Sequence, residues 1–325
     1  MTSVQAARPR ALRAPRLADY LSSADLDAAG QERILARAAR LREQRRLGRV
    51  PHPLHGRQIA LLFEKPSLRT RVTFDVGITA LGGHAIYLGP EEVAIGRRES
   101  ATDVGRNLGR WVDAIVSRTF GHGTLVELAE AASVPVVNAL SDREHPCQAL
   151  ADVLTLRQHL GELRGRTLAF VGDGNNVCHS LLLAGALAGL HVRVATPRGY
   201  EPDPAIVEQA AATAHEHGGS VTGFTLPADA VAGADAVYTD AWTSMGAEAE
   251  ADLRRLRFAG YRVDSDLLAL GRPDALVMHC LPAHRGEEIT DEVIDGPRSV
   301  VLDQAENRLY VQQAILVELL APDSA

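Results

Sequence analysis

Short apolar runs alternate with amphipathic stretches along most of the chain. The runs are rich in Val, Ile, Leu and Ala, and polar, Gly or Pro residues bound them. Such a pattern predicts parallel strands joined by crossover helices. Strands are predicted at 58–63, 85–88, 114–116, 134–138, 167–171, 191–195, 236–239, 275–279 and 300–302. A long helix rich in Arg and Glu is predicted before them, over 24–46.

The alternation and the chain length together predict an α/β protein of two domains. The 325 residues are enough for two domains of about 150 residues each. Each domain is expected to be a parallel sheet flanked by helices, and interdomain helices are expected to join the two. The boundary is placed in a predicted helix over 148–160, which gives domains 1–150 and 151–325. The last helix, from about residue 306, is expected to pack back toward the first domain.

Composition narrows the classes of protein that the chain can belong to. The formal net charge of −7 argues against a nucleic-acid-binding protein, because such proteins usually carry a clustered basic face. Cys147, Cys178 and Cys280 are too scattered for a disulfide framework, which favours a reducing cytoplasm. No apolar run is long enough to cross a membrane. Residues 1–16 are basic and contain Pro9 and Pro15, so we expect a flexible tail rather than a transit peptide.

A phosphate-binding segment is predicted directly after the first strand. The sequence there, over 63–71, is FEKPSLRTR. The predicted helix that follows has Ser67, Arg69 and Thr70 in its first turn. Backbone N–H groups, the helix dipole and guanidinium groups at this position favour a bound phosphate. The alternative is a solvated helix start with surface arginines.

The apolar residues of this helix recur at helical spacing. They are Leu68, Val72 and Val76. The side chain of Leu68 cannot form a hydrogen bond, so it is free to pack into a core-facing stripe with the two valines. Gly82 and Gly83 are expected to end the helix.

Three polar residues follow predicted strands in the first half. Arg118 follows strand 114–116, and His145 and Gln148 follow strand 134–138 as part of the segment HPCQ. A cation, an imidazole and an amide that converge beside the phosphate would stabilise a developing oxyanion. Taken singly, an Arg after a strand or a His before a Pro is more often structural.

A glycine-containing turn opens the second half and resembles a dinucleotide fingerprint only in part. The turn is GDGNNV, so Val177 stands where a third glycine is needed, and the next strand is followed by Thr196 rather than by an acid that could bind a ribose. We therefore expect a tight strand-to-helix turn and no nucleotide cofactor. For Asn176 two alternatives remain, capping the helix and contacting a ligand.

Two further polar clusters follow strands 236–239 and 275–279. Asp240 leads into a glycine-bearing loop that contains Ser244, and a carboxylate in this setting suits an α-ammonium group. His279, Cys280 and His284 could suggest a metal site. No fourth ligand occurs at a useful spacing, so no metal is expected.

The motifs of this chain resemble those of the ornithine carbamoyltransferase family. From about residue 17 onward they are, in order, FEKPSLRTR, SRTFG, HPCQALAD, GDGNNV, DAWTSMG, HCLPAHRGEEITDEV and DQAENRLYVQQA. The resemblance implies a carbamoyl-phosphate-binding first domain, an ornithine-binding second domain, no cofactor, and a homo-oligomer built from trimers. The implied reaction transfers the carbamoyl group of carbamoyl phosphate to the δ-amino group of L-ornithine. Its products are L-citrulline and phosphate, in arginine metabolism.

The resemblance also implies a role for each matching residue. The residues expected to bind carbamoyl phosphate are Ser67, Leu68 (through its backbone), Arg69, Thr70, Arg118, His145, Gln148, Cys280, Leu281 and Arg308. The residues expected to bind ornithine are Asn176, Asp240, Ser244 and Met245. The catalytic residues among them are expected to be Arg118, His145, Asp240 and Cys280. Neither a nucleic acid nor a membrane is an expected partner.

Three positions depart from the commoner family pattern. Leu68 stands where a threonine is usual, and Ala94 and Arg98 stand where a glutamine and a lysine reach the neighbouring subunit's site. Arg98 is therefore our candidate for the surviving contact between subunits.

Four alternatives are weighed against this prediction. An aspartate carbamoyltransferase would share the phosphate-binding segment but carry a basic HPLPR run in place of HCLP. An acetylornithine enzyme would suit the leucine after Ser67, although the DAWTSMG segment argues for a free α-amine. The incomplete fingerprint disfavours a nicotinamide oxidoreductase, and retention of every polar group that the reaction needs disfavours a non-catalytic binding paralogue.

Overall fold

A computed structural model describes residues 17–243 and 248–324. The strands are β1 (Gln58–Phe63), β2 (His84–Leu88), β3 (Ala114–Arg118), β4 (Val136–Leu140), β5 (Thr167–Val171), β6 (His191–Ala195), β7 (Ser220–Phe224), β8 (Ala236–Thr239) and β9 (Leu276–His279). The helices are α1 (Ala28–Arg46), α2 (Leu68–Ala80), α3 (Pro90–Val93), α4 (Ala101–Leu108), α5 (His122–Ala131), α6 (Pro146–Leu160), α7 (Asn176–Leu187), α8 (Pro204–His217), α9 (Pro227–Val231), α10 (Ala251–Phe258), α11 (Ser265–Leu268), α12 (Asp291–Ile294) and α13 (Val301–Leu320).

The strands form two parallel sheets, one in each half of the chain. The first has the order β2-β1-β3-β4 and the second the order β7-β6-β5-β8-β9. Every pairing within them is parallel. The predicted α/β class, with two parallel sheets flanked by helices, is confirmed. In such sheets the carboxyl ends of all strands lie at one edge, which is where ligands bind.

In two places the structure differs from the prediction in the kind or the presence of an element. Residues 300–302 were expected to be a strand, but helix α13 begins at Val301. Val301, Gln304 and Arg308 are buried on one face of that helix, so the short apolar run is the start of a helical stripe. Strand β7 was missed because it lies at a sheet edge and none of its residues is fully buried.

Helix α2 has the predicted first turn but buries the opposite face. Ser67 is the N-cap, and its hydroxyl accepts a hydrogen bond from the backbone N–H of Thr70 at 3.4 Å. The predicted core stripe is wrong: the side chains of Leu68, Val72 and Val76 are 76%, 47% and 39% exposed. The buried side chains lie instead on a second stripe that contains Phe74. Both stripes have a helical period, so spacing alone does not decide which one faces the core.

Helices α6 and α13 lie between the two halves of the molecule. Every residue of α6 from Pro146 to Leu156 is buried, as expected for a helix that is surrounded by other elements. Helix α13 packs against α1, α2 and α6. Side chains also join these helices: the amide nitrogen of Asn307 donates to the Thr155 hydroxyl at 2.9 Å. In the described part of the chain, no helix is both long and apolar enough to cross a membrane.

Candidate active site

A cavity of about 230 Å³ lies where the carboxyl ends of the two sheets meet. Its walls come from the segments that follow β1, β3, β4, β5, β8 and β9, and from α13. The lining residues are Lys65, Ser67, Arg69, Thr70, Arg118, Leu140, His145, Gln148, Asn175, Asn176, Val177, Asp240, Ala241, Thr243, Cys280, Leu281, Pro282, His284 and Arg308. Eleven of the predicted site residues therefore line this one cavity.

Three predicted site residues are not among the described residues that line this cavity. The side chain of Leu68 is mostly exposed. Ser244 and Met245 lie outside the described residues. Ala94 and Arg98, the two departures on the following loop, are not among the lining residues either.

One end of the cavity is strongly cationic. Arg69, Arg118 and Arg308 all line it beside the N-terminus of α2. Arg308 is buried, and its Nη2 donates to the Thr70 hydroxyl at 2.7 Å. Burial lowers the pKa of Arg118 to about 10, with added repulsion from Arg308 and Arg69. A bound anion would relieve this repulsion, and the helix N-terminus favours the same sign of charge.

His145 stands next to these cations at the start of α6. It is the N-cap residue and precedes Pro146, which suits the first position of a helix. Its backbone N–H donates to the Ser180 hydroxyl at 2.9 Å. Burial lowers the pKa of the His145 imidazole well below its usual value, and Arg308 and Arg118 lower it further. The ring is therefore neutral at pH 7, and its Nδ1 has no hydrogen-bond partner among the described residues.

Gln148 lies one turn further along α6. Its side-chain nitrogen donates to Asp152 Oδ1 at 2.8 Å. Its side-chain oxygen is buried and has no hydrogen-bond partner among the described residues. Because buried polar atoms are normally hydrogen-bonded, this oxygen is a candidate acceptor for a ligand in the cavity.

The other end of the cavity centres on Asp240. One carboxylate oxygen accepts a hydrogen bond from the Asn175 amide at 2.9 Å, and the other accepts one from the Cys280 thiol at 3.0 Å. Burial, followed by the charge of Asp240, raises the pKa of Cys280 well above its usual value. Cys280 is therefore a neutral thiol that donates to Asp240, and both oxygens of Asp240 are already oriented.

The two asparagines of the GDGNNV turn have different tasks. Asn175 is the N-cap of α7, and its side-chain oxygen accepts from the backbone N–H groups of Val177 and Cys178. The side-chain nitrogen of Asn176 donates to the Ser141 carbonyl at 2.6 Å. The sequence left open whether Asn176 caps helix α7 or contacts a ligand, and the structure shows that Asn175 is the main cap. Asn176 links α7 to the segment after β4.

His279 supports the backbone at the junction of the two ends. Its Nδ1 accepts from the Leu281 N–H at 2.9 Å, and its Nε2 lies 3.1 Å from Glu288 Oε1. Leu281 has a φ of 58°, which is unusual for a non-glycine residue. In the described chain, Asp240, His279 and Cys280 have potential ligand atoms within 4.8 Å of one another. Both nitrogens of His279 are nevertheless engaged within the protein.

Two family models cover nearly the whole chain. The model for the carbamoyl-phosphate-binding domain of aspartate/ornithine carbamoyltransferases matches residues 18–158. The model for the aspartate/ornithine-binding domain of the same enzymes matches residues 164–319. The chain belongs to the aspartate/ornithine carbamoyltransferase family. The family predicted from the sequence motifs is thereby confirmed.

Individual relatives within this family are similar over almost their full length. The ornithine carbamoyltransferase of Acidothermus cellulolyticus is 55% identical over 302 residues, which cover 93% of this chain and 96% of that protein. That of Methanocorpusculum labreanum is 53% identical over 303 residues, covering 93% and 98%. The solved structure of ornithine carbamoyltransferase from Pyrococcus furiosus is 48% identical, with a TM-score of 0.91, and the match covers 94% of this chain and 99% of that one.

Sequence reasoning missed several lining residues of this family member. Lys65, Asn175, Thr243 and His284 line the cavity but were not among the predicted site residues. For Lys65 a signal was present, because it is the only lysine of the chain and lies in the phosphate-binding segment. Asn175 could have been found as the polar residue that precedes the helix start.

Proposed function

We propose that this family member transfers the carbamoyl group of carbamoyl phosphate to the δ-amino group of L-ornithine, giving L-citrulline and phosphate. The observation that carries the proposal is one cavity with a cationic end beside the α2 N-terminus and a single carboxylate, Asp240, among its described lining residues. The relatives that are 48% to 55% identical and bear the name ornithine carbamoyltransferase support it.

The cationic end would hold carbamoyl phosphate. Ser67, the Leu68 backbone, Arg69 and Thr70 would bind the phosphate through charge-assisted hydrogen bonds. Further contacts to the carbamoyl phosphate would come from the rest of this end of the cavity. These residues are Arg118, His145, Gln148, Cys280, Leu281 and Arg308.

The Asp240 end would hold ornithine. Asp240 would bind the α-ammonium group, and Asn176, Ser244 and Met245 would complete the amino-acid site. Cys280 and Leu281 would line the junction where the two substrates meet. No residue in this assignment requires a cofactor or a metal.

The reaction requires the neutral amine of ornithine. An alkyl ammonium has a pKa of ~10.4, so freeing its lone pair at pH 7 costs about 4 to 5 kcal/mol. The apolar surroundings of Cys280 and Leu281 would lower that cost, because they disfavour the charged amine. Attack on the carbamoyl carbon then builds an oxyanion, which Arg118 and neutral His145 would stabilise. The phosphate would leave into the cationic end.

One assay tests the proposal directly. Carbamoyl phosphate is offered with ornithine, N-acetylornithine, putrescine and aspartate in separate reactions, and the carbamoylated product is measured. We expect citrulline from ornithine at the highest kcat/KM. A clear preference for another acceptor would replace ornithine as the substrate.

We also propose a homo-oligomer built from trimers, in the cytoplasm, that serves arginine metabolism. Within each chain, residues 1–150 would bind carbamoyl phosphate and residues 151–325 would bind ornithine. The exposed apolar stripe of α2, formed by Leu68, Val72 and Val76, supports assembly, because such surfaces commonly mark protein contacts.

The oligomer proposal has two tests. Sedimentation should give a mass that is a multiple of three chains. Arg98→Ala should raise the KM for carbamoyl phosphate if Arg98 reaches a neighbouring site, and adding Ala94→Gln should restore part of the loss. An unchanged KM in Arg98→Ala would remove the contact between subunits from the proposal.

A further inference from the structure

A buried chain of side-chain hydrogen bonds runs from β9 to Gln148. The backbone N–H of His279 donates to the Gln304 side-chain oxygen at 3.0 Å. The Gln304 side-chain nitrogen donates to Asp152 Oδ1 at 2.7 Å, and the Gln148 nitrogen donates to the same atom at 2.8 Å. Tyr238 donates its hydroxyl proton to Asp152 Oδ2 at 3.1 Å. All four of these side chains and the His279 side chain are at most 1% exposed.

The backbone N–H of His279 fixes the direction of every amide hydrogen bond in this series. A backbone N–H can only donate, so Gln304 must turn its oxygen to His279 and its nitrogen to Asp152. Asp152 Oδ1 therefore acts as an acceptor, and Gln148 must offer it the amide nitrogen. The Gln148 oxygen is left facing the cavity, where it has no partner among the described residues.

The chosen direction does not depend on the ionisation of Asp152. Burial raises the pKa of Asp152 to about 7, against the lowering effect of the hydrogen bonds from Gln148, Gln304 and Tyr238. A proton on this residue would sit on Oδ2, beside the Tyr238 hydroxyl, because two amides already donate to Oδ1. Oδ1 remains an acceptor in both states.

We propose that Asp152 is a positioning residue that holds the Gln148 amide with its oxygen toward the cavity, where it accepts a hydrogen bond from the NH₂ group of the carbamoyl substrate. This inference rests on the proposed function. By fixing the Gln148 oxygen, Asp152 would let the site distinguish a carbamoyl NH₂ group from a methyl group of similar size. The methyl group cannot donate a hydrogen bond to that oxygen. Acetyl phosphate differs from carbamoyl phosphate in that one group.

The test compares carbamoyl phosphate, acetyl phosphate and inorganic phosphate in variants of Asp152. Asp152→Leu removes the acceptor while filling similar space with apolar atoms. It also takes the acceptor away from three buried donors, so a loss of stability is expected beside the kinetic effect. We expect the KM for carbamoyl phosphate to rise about tenfold, the cost of one buried hydrogen bond. The inhibition constants of acetyl phosphate and inorganic phosphate should change less than about twofold, since neither uses the Gln148 oxygen.

Three further variants separate positioning from a general structural role. Thr155→Val, one turn along α6, removes the hydrogen bond from Asn307 but not the bonds to Gln148, and should keep wild-type discrimination. Asp152→Asn retains Oδ1 and should recover most of the discrimination that Asp152→Leu loses. In a protein that already carries Gln148→Ala, Asp152→Leu should raise the KM for carbamoyl phosphate little further. Both changes remove the same hydrogen bond to the substrate, so their effects do not add.

Several results would overturn the proposal. One is an Asp152→Leu enzyme in which the constants for all three ligands and for ornithine rise together, as they would for a structural residue. If Asp152→Leu does not fold, the Asp152→Asn variant provides the test. A tenfold loss of discrimination between carbamoyl phosphate and acetyl phosphate in Asp152→Asn would show that the charge of Asp152, not the orientation of Gln148, is needed. A wild-type protein that forms no citrulline would instead refute the proposed function, independently of these comparisons.

Discussion

The α2 end of the cavity and the Asp240 end differ in how their charges are balanced. At the α2 end, burial lowers the pKa of Arg118, and repulsion from Arg308 and Arg69 lowers it further. At the other end, Asp240 already accepts hydrogen bonds from Asn175 and Cys280. At the α2 end, the cations repel one another and a bound anion would weaken that repulsion. At the Asp240 end, hydrogen bonds hold the carboxylate in one orientation.

This difference separates the expected effects of substitutions at the two ends. Removing a cation from the α2 end lowers the attraction for a phosphate and also relieves repulsion in the free protein. The loss therefore falls on ligand affinity more than on folding. Removing the charge of Asp240 disturbs a hydrogen-bonded cluster and the contact with an amino acid together.

The largest expected effect is that of Arg69→Ala. We expect kcat/KM for carbamoyl phosphate to fall by about 10² to 10³, because a charge-assisted contact with the phosphate is lost. The midpoint of thermal unfolding should change little, since Arg69 is only half-buried and faces the cavity. Steady-state kinetics and a thermal melt of the same preparation measure both.

Arg71→Ala is the matched control for this change. Arg71 lies on the same helix, is exposed, and stacks over the Tyr87 ring at 3.7 Å rather than lining the cavity. Its removal should leave the kinetics within about twofold. Wild-type affinity for carbamoyl phosphate in Arg69→Ala would exclude the α2 end as the phosphate site.

Residues of the α2 end also differ from one another in how well the sequence predicted them. Ser67, Arg69 and Thr70 were predicted because one contiguous segment carries the hydroxyls, the arginines and the helix start. Arg308 was assigned by family resemblance alone, because it reaches Thr70 from a helix that lies 238 residues further along the chain. Contacts over such distances have no local signal.

Burial was the weaker part of the sequence prediction. The alternation of runs gave both sheets, but the exposed face of α2 and the strand-like residues 300–302 were assigned wrongly. In both cases a short apolar run fits more than one environment, and the packing partner decides. For Leu68 the partner is not in the same chain's core, since its side chain is 76% exposed.

Asp240→Asn tests the second end of the comparison. We expect the KM for ornithine to rise about 10- to 100-fold, because the amide loses the charge that attracts the α-ammonium group. The KM for carbamoyl phosphate should rise much less. Substrate-saturation curves for both substrates measure the ratio.

Asp173→Asn controls for the loss of a carboxylate near the same sheet edge. Asp173 pairs with Arg254 at 2.7 Å and does not line the cavity. Its replacement should lower stability without changing the ratio of the two KM values. Equal weakening of both substrates in Asp240→Asn would mean that Asp240 organises the site rather than binding the amine.

The pH dependence of stability tests the lowered pKa of His145, which burial causes first and the neighbouring Arg308 and Arg118 second. The pKa of His145 is well below its usual value near 6.5, so below that pH the unfolded chain binds a proton that the folded state does not. Stability therefore falls as pH decreases, by at most about 1.4 kcal/mol per pH unit from this residue. His145→Gln should lose less stability than the wild type between pH 7.5 and 5.5.

Phosphate sharpens this test. A bound anion beside Arg308 and Arg118 offsets the repulsion that helps to keep His145 neutral, so saturating phosphate should reduce the difference between wild type and His145→Gln. Melting temperatures at both pH values, with and without phosphate, provide the comparison. The same pH dependence in both proteins would show that the pKa of His145 is not lowered in the folded protein.

The smallest effect is expected for Leu68→Thr, which restores the residue that is commoner in the family. Because the Leu68 side chain is 76% exposed, the free energy of unfolding of the single chain should change by less than about 0.5 kcal/mol. Phe74→Ala, on the buried face of the same helix, should cost about 3 to 5 kcal/mol by contrast. The KM for carbamoyl phosphate should stay constant in Leu68→Thr, since only the backbone N–H would bind phosphate.

If the stripe of Leu68, Val72 and Val76 joins subunits, the substitution should raise the concentration at which the oligomer dissociates. A large loss of stability at a concentration where only single chains are present would mean that Leu68 packs within its own chain.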